Sequence, residues 1–377
     1  MKTLAVIGAS YLQLPLVRKA KEMGLRVLCF AWPDGAVCKE IADKFYPISI
    51  IEKDKILRKC IEEQIDGITS IASDVAVPTI AYVASCMGLI GNSVESALKS
   101  TNKYEMRKAL SLGGVAVPHF AVVSDPNTIE RSIAHMHFPL IVKPVDRSGS
   151  LGVMQVENLV ELRAAIDTAI GDAFSKTAIV EECITQMREV SVEGISWKGE
   201  YHFLQVTDKV TTGHPNYVEL AHHQPANVSE ELKTSIRNEV EKGVAALGIE
   251  NGASHAELMI TEDGFVFMTE IGARMGGDFI GSDLVRLSTG YDFLRGVIEV
   301  ALGNFSGITC GDHSKFAGVW FYAPQTMWVK SEILKAYDNH SIVSSCLLRE
   351  EVINLGCSAD RSGYFIYASD TGRIDHE

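Results

Sequence analysis

Ser254-His255-Ala256-Glu257-Leu258-Met259-Ile260-Thr261-Glu262-Asp263-Gly264-Phe265-Val266-Phe267-Met268-Thr269-Glu270-Ile271 reads as two strands joined by a turn. Polar and apolar residues alternate on both sides of the turn, the period of a half-buried strand. Asp-Gly between two such runs is the strongest short-range hairpin signal. With Asp263-Gly264 as a two-residue loop, Glu262 pairs with Phe265, and five further steps set Glu257 opposite Glu270. Like charges directly opposite each other are unfavourable. The flanking residues are apolar enough to draw both acids partly out of water, so a cation must compensate. Two facing carboxylates suit Mg²⁺, a hard ion that takes oxygen ligands and keeps places for phosphate and water; Mn²⁺ would also fit.

The pattern extends on both sides of this hairpin. Downstream, Gly272-Ala273-Arg274-Met275-Gly276-Gly277-Asp278 puts an arginine four residues beyond Glu270, with a fork suited to phosphate or carboxylate. The Gly276-Gly277 pair lets backbone approach a ligand closely, and Asp278 beyond it would favour a cationic or hydroxylated group. Upstream, Arg188-Glu189-Val190-Ser191-Val192-Glu193-Gly194 alternates, so Glu189, Ser191 and Glu193 share one face. Ala178-Ile179-Val180-Glu181-Glu182-Cys183-Ile184 is a short apolar strand ending in two acids. Phe138-Pro139-Leu140-Ile141-Val142-Lys143-Pro144 carries one lysine in an apolar strand, followed by the small-residue loop Asp146-Arg147-Ser148-Gly149-Ser150-Leu151-Gly152. A lysine beside such a loop suits a polyphosphate, because backbone N–H groups wrap the oxygens without side-chain clash. The Walker pattern is absent, since no Gly-Lys-Ser/Thr follows.

The first hundred residues alternate strand candidates (4–7, 25–30, 67–71) with helix candidates (12–23, 56–64 and after Pro78), which implies a parallel sheet in an α/β layer. Gly8-Ala9-Ser10 lies where a dinucleotide fingerprint would begin but lacks its second and third glycines. Ser100-Thr101-Asn102 caps a helix over 103–112 that Gly113-Gly114 stops. Ser229 caps another, with Leu232, Ile236, Val240, Val244 and Leu247 as its buried stripe. Beyond Gly303 the chain reads as a mixed α/β tail with strands at 316–322 and 364–368. There is no internal repeat or low-complexity segment.

Composition narrows the classes. The 377 residues, 46% hydrophobic and 22% charged, suggest two or three ordinary globular domains. Lys plus Arg total 35 against 48 Asp plus Glu, a net charge of -13, with no dense basic run. Nucleic-acid binding and membrane attachment are disfavoured by that balance. No apolar stretch reaches the 18 or so residues of a membrane span, and no signal-peptide core follows Met1. The eight cysteines contain no Cys-x-x-Cys pair, which points to reduced thiols and a cytoplasmic chain.

Taken in order, Lys103, Lys143 with its Gly/Ser loop, Glu181-Glu182, Glu189, Glu257 and Glu270-Ile271-Gly272-Ala273-Arg274 resemble the ATP-grasp superfamily. The resemblance covers nearly the whole chain. It looks most like the carbamoyl-phosphate-synthase-like and L-amino-acid-ligase branch, whose members often carry Glu-Ile-x-Ala-Arg-x-Gly-Gly. It implies an α/β and α+β architecture: a parallel-sheet domain over 1–100, a small ATP-grasp subdomain with the phosphate lid over 101–186, and a large subdomain over 187–377. It assigns ATP to Lys103 and Lys143, with Ser148, Gly149, Ser150 and Gly152 over the phosphates. Glu181, Glu182, Cys183 and Ile184 would meet adenine and Glu189 the ribose. Mg²⁺ falls to Glu257 and Glu270, and the acyl-phosphate intermediate to Arg274. The segment ending Glu219-Leu220-Ala221-His222 resembles a Glu-x-x-His that faces the second substrate, where Glu219 or His222 binds or deprotonates the amine. One position departs from the pattern: many members have Asn where this chain has Gly272.

The implied chemistry is ATP-dependent joining of a carboxylate to an amine, both small molecules and on this resemblance amino acids, through an acyl phosphate, with release of ADP and phosphate. A homodimer is compatible with the resemblance. The rivals are a purine-biosynthesis or carbamoyl-phosphate-like enzyme of the same fold, a catalytically silent nucleotide-binding regulator, and a nicotinamide-dependent oxidoreductase binding at Gly8.

Overall fold

The computed structural model describes residues 1–125, 128–147, 152–184, 187–213, 217–337 and 339–375. Its N-terminal layer is a parallel sheet of β1 (Thr3–Ile7), β2 (Arg26–Phe30), β3 (Lys44–Tyr46) and β4 (Gly67–Thr69), in the order β3-β2-β1-β4. All of β1 is buried, as a central parallel strand covered on both faces must be. Helices Leu14–Glu22, Lys53–Glu63 and Val77–Met87 connect the strands, the first and last with a proline in the opening turn, where its missing N–H costs nothing. Helix Phe293–Ala301 arrives from far along the chain and packs into the same core as Leu4, Val6 and Val27. This layer's packing therefore draws on residues well beyond position 100. The turn after β1 is filled by its own side chain. Gln13 Oε1 accepts from the Ser10 amide (3.2 Å) and hydroxyl (2.8 Å), and Gln13 Nε2 donates to the Ile71 carbonyl at 2.8 Å. Gly8 has φ +103, and a Cβ there would lie 2.8 Å from Gln13 Oε1. Gln13 occupies the concavity that a pyrophosphate would need.

A second, antiparallel sheet consists of β5 (Phe120–Val123), β6 (Leu140–Pro144), β7 (Met154–Val156) and β8 (Ala178–Glu182), in the order β5-β8-β6-β7. Helix Leu159–Asp172, capped by Asn158, packs Leu162, Ala165, Ile166 and Ala169 against it.

The third sheet has eight antiparallel strands: β9 (Met187–Trp197), β10 (Glu200–Thr211), β11 (Glu219–Gln224), β12 (Gly252–Thr261), β13 (Val266–Gly272), β14 (Phe316–Tyr322), β15 (Ile342–Leu347) and β16 (Gly363–Ser369). Their order is β13-β12-β9-β10-β11-β14-β16-β15, so the C-terminal tail extends the same sheet by three strands. The expected strands at 316–322 and 364–368 are present; β15 has too little alternation to be read from sequence. One face is apolar. Val190, Val192, Ala256, Leu258, Met268 and Ile271 pack there against Ile236, Val240, Val244 and Leu247 of helix Glu230–Leu247. Each such side chain contributes about 1.5–3 kcal/mol when fully buried. Ser229 and Asn102 cap helices Glu230–Leu247 and Lys103–Leu112 as their sequence implied.

The β12–β13 hairpin brings Glu257 opposite Glu270 by a different route from the expected one. The Thr261 amide donates to the Phe265 carbonyl at 3.0 Å and the Gly264 amide to the Thr261 carbonyl at 2.9 Å, with Gly264 at φ +81. The loop is thus the three residues 262–264, and Ile260 pairs with Val266 rather than Phe267. A register shift between Glu257 and Leu258 then restores Glu257↔Glu270. The longer turn and the bulge cancel. Among the described residues no helix is long and apolar enough to cross a membrane.

Candidate active site

The other face of the large sheet carries a continuous row of polar side chains. Register sets Glu257 across from Glu270 on one side and Ser191 on the other, His255 across from Glu193, and Met259 across from Glu189. Gln205 and Thr207 continue the row beside Glu193 and Ser191, and Lys209 stands beside His222. Strand alternation alone puts these residues on one face.

Two buried lysines balance the acids at the centre of this row. Lys103 Nζ lies 3.1 Å from Glu270 Oε2 and donates to the Arg147 carbonyl at 2.8 Å. Lys209 Nζ lies 2.9 Å from Glu257 Oε1 and 3.7 Å from Glu219 Oε1, and is also bonded to Glu189. Burial works against the charge on both lysines, but the neighbouring carboxylates outweigh it and raise both pKa values, that of Lys209 strongly. Burial and the adjacent Glu257 charge raise Glu189 despite Lys209. Partial burial opposes the charge on Glu257, yet Lys209 and His255 hold it well below the carboxylate range. Glu257 and Glu270 keep side-chain exposures of 30% and 22%, so both are reachable. A pair of facing oxygen donors on apolar strands fits a hard divalent ion with open positions. Among the described residues no group of three or more His, Cys, Asp or Glu side chains forms a complete metal cage, so phosphate and water would complete the coordination.

The glycine that departs from the family pattern has a physical cause. A Cβ on Gly272 would lie 2.9 Å from Asp74 Oδ1 and 3.3 Å from Arg274 Nε. The space an asparagine would take is filled by an ion pair, Arg274 Nε and Nη2 donating to Asp74 at 2.8 and 3.0 Å. Gly276 is equally constrained: its Cβ would meet Glu193 Oε1 at 2.5 Å. Glu193 is fully buried, bonds His255 Nδ1 with one oxygen, and accepts the Gly276 amide at 3.0 Å with the other. Burial opposes the charge on His255, but Glu193 prevails and raises its pKa to about 9.

A third lysine lies on β6. Lys143 Nζ is 2.6 Å from Glu181 Oε2, and Arg107, fully buried on helix Lys103–Leu112, pairs with the other Glu181 oxygen. The Glu181 side chain is therefore turned inward to two cations. Its pKa falls to about 2: burial alone would raise it, but Arg107 and then Lys143 prevail. Glu182 points to the opposite side, accepting from the His137 amide at 3.0 Å. The Glu182 and Cys183 amides are already bonded to the His119 and Pro139 carbonyls. Ile184 lies half-buried two residues beyond β8. Of the phosphate loop, Ser148, Gly149 and Ser150 lie outside the described residues. Gly152, at φ +72, sits against Pro144 with Cγ 3.0 Å from its would-be Cβ, and so adjoins Lys143.

At the far end of the row His222 is buried, and neither ring nitrogen has a hydrogen-bond partner among the described residues. Its Nε2 lies 3.8 Å from Asp278 Oδ2. Asp278, in the left-handed region at φ 48, is gripped by both Arg361 Nη atoms at 2.7 and 2.8 Å. Arg361 in turn lies over the Phe321 ring at 3.7 Å. Burial works against the Asp278 charge, but the Arg361 charge holds its carboxyl far below the usual range. Glu219 accepts from the Ser358 hydroxyl at 3.1 Å.

The row thus brings Glu189, Glu219, His222, Glu257 and Glu270 together, with Lys103 against Glu270 and Arg274 two residues past β13. Lys143 and Glu181 form a separate knot joined to it through Arg107. The sequence reading missed Lys209, Arg107, Asp74 and Arg361. Lys209 carried a signal: it is a lone lysine in a strand that would pair beside Glu189. Arg107 lies one helical turn after Lys103, hence on its face. Asp74 and Arg361 come from distant loops and left no local trace.

Residues 136–283 match the model of the ATP-grasp domain. The chain is 30% identical over 195 residues to dapdiamide A synthase of Enterobacter agglomerans, covering 49% of this chain and 45% of that one. It is 25% identical over 271 residues to alanine–anticapsin ligase of Bacillus subtilis, covering 63% and 57%. The chain thus spans about half the length of these curated relatives. The solved L-amino acid ligase of Bacillus licheniformis superposes with a TM-score of 0.80 at 21% identity, over 98% of this chain and 94% of that one. The chain thus carries a segment, residues 136–283, that matches the ATP-grasp domain, within a fold similar to that of the L-amino acid ligase over nearly its whole length.

Proposed function

We propose that this chain is an ATP-dependent carboxylate–amine ligase forming an amide or peptide bond, with an amino acid as at least one substrate. The observation that carries the reading is the Glu257–Glu270 pair, reachable from solvent and flanked by Lys103 and Lys209. The names of the relatives, ligases that include one for alanine and anticapsin, support the substrate class. The proposed division is a parallel-sheet domain over 1–100, a phosphate-lid subdomain over 101–186 and a large subdomain over 187–377.

In the proposed reaction a substrate carboxylate oxygen attacks the terminal phosphorus of ATP. The bond to the bridging oxygen breaks and ADP leaves, giving an acyl phosphate. An amine then attacks the acyl carbon, phosphate departs, and the amine loses a proton. Glu257 and Glu270 would hold Mg²⁺, which when bound supplies charge neutralisation for the phosphates. Lys103 and Lys143 would bear on the phosphate oxygens under the 148–152 loop, with Glu189 at the ribose and residues 181–184 at adenine. Arg274, its fork fixed by Asp74, would face the acyl phosphate. At the other end His222, lacking a hydrogen-bond partner for either nitrogen among the described residues, or Glu219 would receive the amine proton. The 148–152 loop would exclude water from the acyl phosphate.

The test is ADP release with a panel of carboxylates and amines, with and without Mg²⁺. Mg²⁺-dependent release that needs both a carboxylate and an amine supports the ligase. Release that needs only bicarbonate or a ribonucleotide points instead to the related carboxylating enzymes of this fold. No stimulation by any pair points to a silent nucleotide binder.

A further inference from the structure

The meeting of Glu257 with Glu270 depends on a single inserted residue. From the turn, Ile260, Met259 and Leu258 pair with Val266, Phe267 and Met268 in regular register. One more regular step would set Thr269 opposite Glu257 and send the Glu270 side chain through the sheet, among Ile236, Val240 and Met268. A one-residue slip moves a side chain to the other face, and a lone carboxylate in that apolar layer would be strongly disfavoured. The extra residue at Thr269 prevents this. A bulge re-aims the next side chain but leaves its own backbone groups out of the ladder, so something must bind them.

Arg107 does so for the Thr269 carbonyl, and the Thr269 hydroxyl adds a second tie across the strands. The Thr269 hydroxyl donates to the Glu257 carbonyl at 2.9 Å, which ties the bulge to the opposite acid's own backbone. The Arg107 guanidinium donates through Nη2 to the Thr269 carbonyl. The same guanidinium pairs with Glu181, which holds Lys143 at 2.6 Å. We propose that Thr269 and Arg107 are positioning residues that lock the bulge, so that Glu270 faces Glu257 and stays in register with the Lys143 arm. This rests on the reading of Glu257 and Glu270 as metal carboxylates.

The test is Mn²⁺ binding by electron paramagnetic resonance in the presence of ADP, on the full chain. ADP affinity without metal and the thermal midpoint are measured alongside. Thr269→Val keeps the branched shape and removes the hydroxyl; it should weaken Mn²⁺ by about tenfold, as loss of a ligand-orienting partner does, with metal-free ADP affinity unchanged. Thr269→Ser should bind as the parent does. Arg107→Lys keeps the charge but loses the fork that reaches both Thr269 and Glu181, and should weaken Mn²⁺ similarly. Parental Mn²⁺ affinity in Thr269→Val or Arg107→Lys, with Glu270→Gln defective, overturns the proposed role of that residue. Parental affinity in Glu270→Gln itself overturns the metal reading on which the role rests.

Discussion

The two faces of the eight-stranded sheet are built from the same strands, one residue apart, and they do opposite things. Toward helix Glu230–Leu247 the strands present Val190, Val192, Val206, Ala256, Leu258 and Met268, fully or nearly fully buried. On the other face acids, lysines and histidines stand shoulder to shoulder, and their burial is tolerated because each charge has a neighbour of opposite sign. A buried charge without such a partner costs several kcal/mol. The first face holds the sheet together; the second stores charge where a nucleotide and metal would find it. The difference predicts that changes on one face cost stability and on the other cost turnover.

The sharpest break of that rule is Lys209→Met, which leaves Glu189, Glu257 and Glu219 facing one another without their cation. Turnover should fall by about 10³-fold, in the range seen when a charge-stabilising group is lost. Folding stability should fall by about 3–5 kcal/mol in urea unfolding. On the opposite face Ile236→Ala should cost about 2–5 kcal/mol while the rate per folded molecule is kept, measured by normalising activity to the folded fraction.

Glu181 sharpens the comparison through pH. Its folded pKa of about 2 lies below the ordinary value of 4.5. Its pairs with Arg107 and Lys143 therefore add stability that is present above about pH 4.5 and lost as pH falls toward 2. Acid unfolding of Glu181→Gln should begin from a lower plateau and show a shallower slope between pH 4.5 and 2 than the parent. Parallel curves would mean the pairs contribute nothing. The smallest effect belongs to neither face: Ser229→Ala removes the helix cap and should cost about 1 kcal/mol with turnover unchanged.

Much of this was legible because alternation is a short-range code. The Glu189–Ser191–Glu193 face, the Asn102 and Ser229 caps and strands β1, β2 and β4 follow from neighbours in sequence, whereas the three-residue β3 was not read. The Glu257–Glu270 pairing was also reached from sequence, but through a turn one residue too short and without the bulge at Thr269, two errors that cancelled. The sequence held no sign of the bulge because its cause, Arg107, lies 162 residues away. Distance hid Asp74 as well. Its carboxylate fills the space beside Gly272, so a glycine that looked like a missing ligand is room made for an ion pair from the N-terminal layer. The sequence offered Glu181 for adenine and gave no sign that Arg107 and Lys143, two buried cations on other elements, turn its side chain inward.

The most direct test of the central claim is trapping with hydroxylamine, which captures an acyl phosphate as a hydroxamate. Parent and Glu270→Gln are each given ATP, Mg²⁺ and pooled amino acids, with hydroxylamine in large excess over the amino groups. The polar-face account predicts ATP- and Mg²⁺-dependent hydroxamate from the parent and about 10²-fold less or lower from the variant. Equal hydroxamate from both proteins, or none from the parent while it still releases ADP, would contradict it.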